Sequence, residues 1–217
     1  IAGLQQQLLE QQQLLLQAQQ ALQQPPLPSL DPPQGQWPPH NTPEAGLAHF
    51  YDAVSAGRGQ EVLDQATGLA GHPHAGEIAY LEGLAHAQLD QADQALKAYE
   101  RAQAAGFLTP YVLFNGANAC RAQGNQTEAI RLYQEAISQF PGFAEARQNL
   151  ALAWIDSGNP EQGERELRLL LRDQPSFAQA AFSLGNLLRD HKRDPEAMEA
   201  FRLCIEHAPA YPDAWNN

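Results

Sequence analysis

The sequence predicts an all-α fold, a solenoid of helix-turn-helix repeats, and three observations carry this prediction. Helix-breaking prolines recur on a 34-residue grid at Pro73, Pro141, Pro175 and Pro209, and Phe107 fills the slot that lacks one. Small residues recur at positions 8 and 20 of the second to fifth 34-residue units, where they would let two paired helices approach closely. Large apolar or aromatic residues recur at position 24 and would fill the space beside them.

The grid divides the chain from residue 42 onward into successive units. The repeats span 42–75, 76–109, 110–143, 144–177 and 178–211, and a sixth begins at 212–217. The small residues at position 8 are Gly83, Ala117, Ala151 and Gly185, and those at position 20 are Ala95, Ala129, Gly163 and Ala197. Position 24 holds Tyr99, Tyr133, Leu167 and Phe201. Gly124 and Gly158 suit the left-handed turn between paired helices, and the proline at position 32 ends the second helix.

Two segments of different composition precede the repeats. Residues 1–24 hold eleven glutamines and seven leucines, and the alternating three-and-four spacing of their apolar residues predicts an amphipathic helix. We expect this helix to pack on the repeats or to self-associate as a coiled coil; the alternative is a poorly ordered extension. Residues 25–41 are rich in proline, which lacks a backbone donor, and predict an extended linker. The proline pairs around Trp37 would also suit an aromatic-lined groove.

The 34-residue pattern resembles the tetratricopeptide repeat family, strongly over residues 76–211 and weakly over 42–75. The clearest copies are PGFAEARQNLALAWIDSGNPEQGERELRLLLRDQPS and PSFAQAAFSLGNLLRDHKRDPEAMEAFRLCIEHAP. The resemblance implies a right-handed superhelix of stacked helix pairs with a concave face. The first unit departs from the pattern, and shifting its first helix by one residue brings Leu47, Ala48 and Tyr51 into register. We therefore expect a divergent capping repeat with helices near 43–56 and 60–70.

The charge balance argues against two classes of partner. Thirteen basic and 25 acidic residues give a net charge of −12, so neither nucleic acid nor an anionic membrane surface is an expected partner. The sequence holds no apolar run long enough to span a bilayer. Cys120 and Cys204 lie far apart and offer no paired framework, which favours a reducing, cytoplasmic compartment.

The sequence holds no constellation of residues for catalysis, so we expect neither an enzyme in this span nor a cofactor or metal. His72 and His74 are the only histidines close together, and they lie at a repeat boundary without further ligands. Cys120 and Cys204 fall on packing positions and are predicted to be buried, inert thiols. Neither a glycine-rich phosphate loop nor a nucleophile elbow occurs.

The tetratricopeptide resemblance implies a partner-binding groove along the first helix of each repeat. Carried over to this chain, the groove residues are Tyr80, Leu84, Tyr111, Phe114, Asn115, Asn118, Arg121, Gln148, Asn149, Leu152, Phe182, Asn186 and Arg189, with Glu77, Gln88, Ile155, Asp156 and Asp190 beside them. The alternative is that Tyr80, Phe114 and Phe182 pack against the next repeat. The lysines of the clamp by which chaperone cofactors grip a C-terminal carboxylate are missing here. We expect amides such as Asn115 to bind an extended peptide backbone.

Two hypotheses of function follow. The first is a scaffold that binds a peptide or protein segment in the concave groove, with self-association through residues 1–24 or the C-terminal edge. The second is the recognition arm of a larger enzyme, such as a peptide glycosyltransferase whose catalytic domain lies beyond residue 217. Asn115, Asn149, Ser183 and Asn217 share position 6 and resemble the asparagine ladder of the O-linked N-acetylglucosamine transferases. The segment PDAWNN resembles the start of a further repeat, so we expect the array to continue.

Overall fold

The computed structural model describes residues 47–69 and 71–209, among which ten α-helices and no strand occur. In chain order the helices are α1 Ala48–Ser55, α2 Gly59–Ala66, α3 Ala75–Gln88, α4 Ala92–Ala104, α5 Pro110–Ala122, α6 Gln126–Gln139, α7 Ala144–Asp156, α8 Pro160–Asp173, α9 Ala178–Asp190 and α10 Asp194–His207. The described residues fall into two compact units, 47–166 and 167–209. The predicted helix over 1–24, the linker over 25–41 and the start of a sixth repeat at 212–217 lie outside the described residues.

The turn inside each helix pair has the same backbone shape. The helices α4, α6, α8 and α10 begin 34 residues apart, at Ala92, Gln126, Pro160 and Asp194. The turns before α6 and α8 place Gly124 and Gly158 at φ of 77° and 82°, in the left-handed region that glycine adopts at no steric cost. Asp90 and Lys192 occupy the same position in the other two turns, at φ of 56° and 60°. The turn is therefore fixed by its place in the repeat, and glycine only lowers its strain.

Inside the unit 47–166, paired helices meet where a small residue faces a large ring. Gly83 on α3 lies against Tyr99 on α4, and a Cβ added at Gly83 would be 2.3 Å from Tyr99 Cε1. Tyr99 is only 1% exposed, so its ring has no room to retreat. On the next pair, Ala117 of α5 and Tyr133 of α6 belong to one buried cluster. The small and large residues predicted from the repeat pattern therefore form this core.

The unit 167–209 shows the same arrangement between α9 and α10. A Cβ added at Gly185 would lie 2.5 Å from Phe201 Cε1, so this position also requires glycine. The ring of Phe182 lies 5.9 Å from that of Phe201, a tilted aromatic contact on the same seam. Cys204 on α10 is fully buried, as predicted for its packing position.

The first helix pair is shorter than the pairs that follow it. The helices α1 and α2 have eight residues each, and Phe50, Val54 and Val62 are their largest buried side chains. The second helix was predicted near 60–70, but α2 ends four residues earlier, at Ala66. It ends there because the backbone is extended at Thr67 and left-handed at Gly68, with φ of 96°. The irregular character predicted for this repeat thus lies in its short helices and early turn.

Candidate functional site

The predicted groove residues of the unit 47–166 lie on three first helices, α3, α5 and α7. Helix α3 contacts α5, and α5 contacts α7, so side chains on these helices can reach from one repeat to the next. The repeat pattern sets this face, because positions 2, 5, 6, 9 and 12 of a helix lie on one side of it. Asparagine side chains hydrogen-bond between these first helices at two places, which we call the closed junction and the amide junction.

The closed junction joins Tyr80 on α3 to Asn115 on α5. Asn115 Nδ2 donates a hydrogen bond to Tyr80 Oη at 3.2 Å. Tyr80 is only 5% exposed, and its ring lies 6.0 Å from that of Tyr99 and 5.7 Å from that of Phe107. Burial raises the pKa of Tyr80 well above its ordinary value, so the hydroxyl stays protonated. Tyr80 therefore supports this face from beneath.

The amide junction joins Asn118 on α5 to Asn149 on α7 and Tyr133 on α6. Asn118 Oδ1 accepts two hydrogen bonds, from Tyr133 Oη at 2.5 Å and from Asn149 Nδ2 at 2.9 Å. Burial raises the pKa of Tyr133 to about 12, partly offset by the positive charge of Arg121. Both asparagines are half-buried, so their remaining polar atoms have access to the surface.

An ion pair lies beside the amide junction. Arg121 Nε on α5 donates to Asp156 Oδ2 on α7 at 3.0 Å, and both side chains are substantially exposed. Such an exposed pair contributes at most about 1 kcal/mol to stability. It neutralises much of the charge that Arg121 would present, so this predicted groove residue offers a paired rather than an isolated cation.

A cluster of aromatic rings lies where α5 begins. This aromatic cluster consists of Tyr111, Phe114, Phe140 and Phe143. Phe143 is buried at its centre, with its ring 5.2 Å from Tyr111, 4.9 Å from Phe114 and 5.7 Å from Phe140. Phe140 is 42% exposed, and Tyr111 and Phe114 are half-buried. The predicted groove residues Tyr111 and Phe114 thus pack against Phe143 and remain partly open to the surface.

The other predicted groove residues have diverse surroundings. Leu84 is half-buried between two apolar clusters, and Gln148 and Leu152 are half-buried on α7. In the unit 167–209, α9 carries the remaining three, Phe182, Asn186 and Arg189. Phe182 packs on Phe201, and Arg189 Nη2 lies 3.5 Å from Asp190 Oδ1. The unit 47–166 thus brings together ten of the thirteen predicted residues on α3, α5 and α7, and α9 holds the rest.

Two residues predicted beside the groove instead connect the first repeat to the second. Tyr51 Oη on α1 donates to Glu77 Oε1 on α3 at 2.5 Å. Gln88 Nε2 donates to the carbonyl oxygen of Val54 at 2.6 Å, satisfying an acceptor in the last turn of α1. Both side chains are therefore engaged in holding the first helix pair.

The amide face retains unmet hydrogen-bonding capacity. Among the described residues, neither Asn118 Nδ2 nor the Oδ1 atoms of Asn115 and Asn149 have a hydrogen-bond partner. An asparagine amide offers two donors and an acceptor, so these groups provide one donor site and two acceptor sites for a ligand. This pattern suits a peptide backbone, which alternates N–H and C=O groups.

Sequence reasoning missed the role of the Tyr133 hydroxyl. Position 24 was assigned to core packing, and the ring of Tyr133 is indeed buried. A signal was present, since a buried tyrosine usually finds a partner for its hydroxyl, whereas phenylalanine needs none. Tyr99 at the equivalent position shows that the signal is not decisive, because its hydroxyl lacks a partner among the described residues.

Histidine, cysteine and carboxylate side chains form no reactive cluster in the part of the chain that the structure describes. No group of three histidine, cysteine or carboxylate side chains there could hold a metal ion. His72 and His74 have ring centroids 5.6 Å apart, and the His74 backbone N–H donates to His72 Nδ1 at 3.2 Å. Burial raises the pKa of Cys120 and of Cys204 to about 11, so neither thiol is activated. None of the described helices is long and apolar enough to cross a membrane.

Comparisons with known proteins agree with the repeat pattern. Residues 121–188 match the tetratricopeptide repeat family. The chain is 24% identical over 98 residues to the BBSome complex member bbs-4 of Caenorhabditis elegans, covering 45% of this chain and 21% of that protein. It is 37% identical over 89 residues to the TPR repeat-containing thioredoxin TTL4 of Arabidopsis thaliana, covering 41% of this chain and 13% of that protein. The chain thus spans about a fifth or less of these two relatives.

A solved structure shows the same fold. The structure is similar to that of YrrB, described as a TPR protein with an unusual peptide-binding site. The TM-score is 0.65 at 15% identity, and the match covers 78% of this chain and 88% of YrrB. Likeness at this identity shows the fold, and it confirms the predicted fold class, an all-α solenoid of helix-turn-helix repeats.

Proposed function

Because residues 121–188 match the tetratricopeptide repeat family and the described helices have its fold, we propose that the chain is a protein-interaction scaffold that binds an extended peptide or protein segment along α3, α5 and α7. The observation that carries the proposal is the set of unpartnered amide atoms beside the amide junction. Asn118 Nδ2 would donate to a peptide carbonyl, and Oδ1 of Asn115 and Asn149 would accept from peptide N–H groups. Contacts to backbone atoms would recognise the extended conformation of the ligand more than its sequence.

The internal hydrogen bonds of the two junctions favour such binding. They hold Asn115 and Asn149 in fixed orientations before the ligand arrives, which lowers the side-chain entropy lost on binding. Each hydrogen bond to a ligand would add about 1 kcal/mol net, since the same atoms bond to water in the free protein. Several such bonds along one face would give moderate, sequence-tolerant affinity.

The charge of the chain favours a neutral or basic ligand. The net charge is −12, and the cation nearest the amide junction, Arg121, is paired with Asp156. Long-range attraction would speed the encounter with a basic segment, and the effect would weaken as salt is added. YrrB, whose fold is similar, is described as having a peptide-binding site, which supports a peptide ligand here.

Two further hypotheses stay predictions. The comparisons add no support to a recognition arm of a larger enzyme. Self-association through residues 1–24 concerns residues that the structure does not describe, and light scattering with and without that segment would test it.

The test begins with linear peptides selected from a phage-displayed library on the immobilised chain. A selected synthetic peptide is then titrated against the chain and against Asn149→Ala, with fluorescence anisotropy as the readout. We expect the dissociation constant to rise about tenfold in Asn149→Ala, which corresponds to about 1.4 kcal/mol. The reason is that Asn149 provides one acceptor to the ligand and also orients Asn118.

The matched control is Gln134→Ala on α6, which also removes an amide. Gln134 is exposed and makes no side-chain hydrogen bond among the described residues. We expect it to leave the dissociation constant unchanged. Equal affinities of the selected peptides for the chain, Asn149→Ala and Gln134→Ala would show that the ligand uses another surface.

A further inference from the structure

We propose that the proline-rich segment 25–41 of this same chain binds on the aromatic cluster and covers it as an intramolecular ligand. The inference concerns a different surface from the amide junction. It uses the exposed ring of Phe140, the half-buried rings of Tyr111 and Phe114, and a proline-rich segment whose chemistry suits them.

The aromatic cluster is an exposed surface with a fixed base. Phe143 is buried with 6% exposure, so it anchors the outer rings of Tyr111, Phe114 and Phe140. Phe140 is 42% exposed although it is a large aromatic side chain. One exposed and two half-buried aromatic rings gathered around a buried one form a continuous apolar surface rather than scattered surface residues.

The repeat pattern shows that this surface is specific to one repeat. One period earlier, the position of Phe140 is held by Gly106, and one period later by Gln174. The ring at position 5 also differs, because Tyr80 is buried whereas Phe114 remains half-exposed. Nothing in the packing of a helix pair requires an aromatic residue at Phe140, so its ring is available to bind a ligand.

The chemistry of segment 25–41 matches this surface. It contains seven prolines and Trp37, and proline-rich segments bind to aromatic-lined grooves with little entropy loss because their extended helix is preformed. Its only acidic residue is Asp31, and it holds no lysine or arginine. It therefore meets little repulsion from a chain whose net charge is −12.

The length of the chain allows the contact. The segment ends six residues before Leu47, the first described residue. The ten chain steps from Trp37 to Leu47 span up to about 33 Å when the chain is extended. The successive first helices α1, α3, α5 and α7 are in contact, and three steps of about 10 Å amount to about 30 Å. A tether of this kind gives an effective concentration in the millimolar range, so even a weak contact would be occupied.

The experiment uses Trp37 as the probe in the full chain carrying Trp154→Phe and Trp215→Phe. Trp154→Phe is a mild change, because the indole N–H of Trp154 is buried without a partner among the described residues. We expect the emission of Trp37 to be blue-shifted and its quenching by acrylamide to be about twofold weaker than in the urea-unfolded chain, as for a mostly occupied tethered ligand. Dilution should change neither value.

One substitution on the cluster, a matched control outside it and a double substitution on the segment complete the test. Phe140→Ser should raise the quenching of Trp37 to that of the unfolded chain, while Leu108→Ser should leave it unchanged. Leu108 is the matched control because it is 45% exposed in the preceding inter-repeat turn. If Phe140→Ser lowers the helical content, the combined change Pro38→Ala and Pro39→Ala gives the same readout without altering the repeats.

Three results would overturn the proposal. The first is quenching of Trp37 in the folded parent equal to that in urea. The second is protection that persists in Phe140→Ser. The third is protection that disappears on dilution, which would assign the surface to a second copy of the chain. The measurement needs no added peptide, so its outcome is independent of the test of peptide binding at the amide junction.

Discussion

The closed junction and the amide junction occupy successive steps of the same repeat, yet they use their asparagines differently. At both, the asparagine at position 6 of a first helix donates to the preceding first helix. Asn115 meets the hydroxyl of Tyr80 at position 5, and that hydroxyl is buried. In the repeat that precedes Asn149, position 5 is Phe114, which has no hydroxyl. Asn149 donates instead to Asn118 at position 9.

A different residue at one position of the repeat moves a polar contact toward the surface. Position 9 of the earlier repeat is Leu84, which cannot accept a hydrogen bond, so Asn115 has only Tyr80 to bond. Position 9 of the next repeat is Asn118, whose amide accepts two hydrogen bonds and keeps a donor free. Both arrangements hold two repeats together and leave an asparagine Oδ1 open, and the second also presents a donor, Asn118 Nδ2, to a ligand.

The largest effect should come from the packing beneath the closed junction. Gly83→Ala would place a methyl group 2.3 Å from Cε1 of the buried Tyr99, whose ring supports Tyr80. We expect the free energy of unfolding to fall by about 3 kcal/mol, as for overpacking of a rigid core. Urea denaturation followed by circular dichroism measures this change.

Gly116→Ala is the matched control for that substitution. A Cβ at Gly116 would lie 3.7 Å from its nearest neighbour, Leu132 Cδ1, which is an ordinary contact. We expect it to raise the free energy of unfolding by up to about 1 kcal/mol, because alanine is the better helix former. Similar losses in the two variants would contradict the packing described for Gly83.

The next effect concerns the amide junction. Asn118→Ala would leave the Tyr133 hydroxyl and the Asn149 amide without their shared acceptor. We expect a loss of about 2 kcal/mol, since unsatisfied, partly buried donors cost more than the bond they made. Thermal unfolding of Asn118→Ala beside Asn118→Asp, which retains the acceptor, separates the hydrogen bonds from the packing of the side chain.

The closed junction should respond less to the loss of its hydrogen bond. Tyr80→Phe keeps the buried ring and removes only the acceptor of Asn115. We expect a loss of about 1 kcal/mol, because the freed Asn115 amide is half-buried and can bond to water. A loss in Tyr80→Phe larger than in Asn118→Ala would reverse the contrast between the junctions.

The smallest predicted effect on stability appears only in alkaline solution. Burial raises the pKa of Tyr133 from an ordinary value of 10.0 to about 12, so the folded state holds this proton more tightly than the unfolded chain. Its contribution to stability is therefore intact below pH 10 and is lost as the pH rises toward 12. In Tyr133→Phe the free energy of unfolding should decline less steeply across this range, whereas Tyr111→Phe, at a less buried phenol, should change the slope less.

More of the fold than of the candidate site could be predicted from the sequence. The 34-residue period identified the helix pairs, and Gly83 and Tyr99 could be paired because small and large residues recur at these positions from the second to the fifth repeat. The sequence does not predict the end of α2 at Ala66, since the first repeat lacks the small residues at positions 8 and 20 that mark the later repeats. The face of the groove followed from helical periodicity.

The state of each groove residue did not follow from periodicity. Whether an asparagine bonds within the protein or remains open depends on residues about one repeat away, as Asn149 depends on Phe114 and Asn118. Tyr80 was a groove residue by position and proved to be buried, because Tyr99 and Phe107 close around it. Three-dimensional contacts between repeats decide these cases.

The most direct test of the central claim is to observe the side-chain amides during peptide binding. In ¹⁵N-labelled chain, the NH₂ resonances of Asn118 and Asn149 can be followed while a library-selected peptide is added. The control is Asn125, whose Oδ1 accepts from the backbone N–H of Glu128 at the start of α6. We predict a clear shift of the Asn118 resonances with Asn125 unchanged. Saturating peptide that leaves Asn118 unmoved would contradict the assignment of the amide junction as the binding surface.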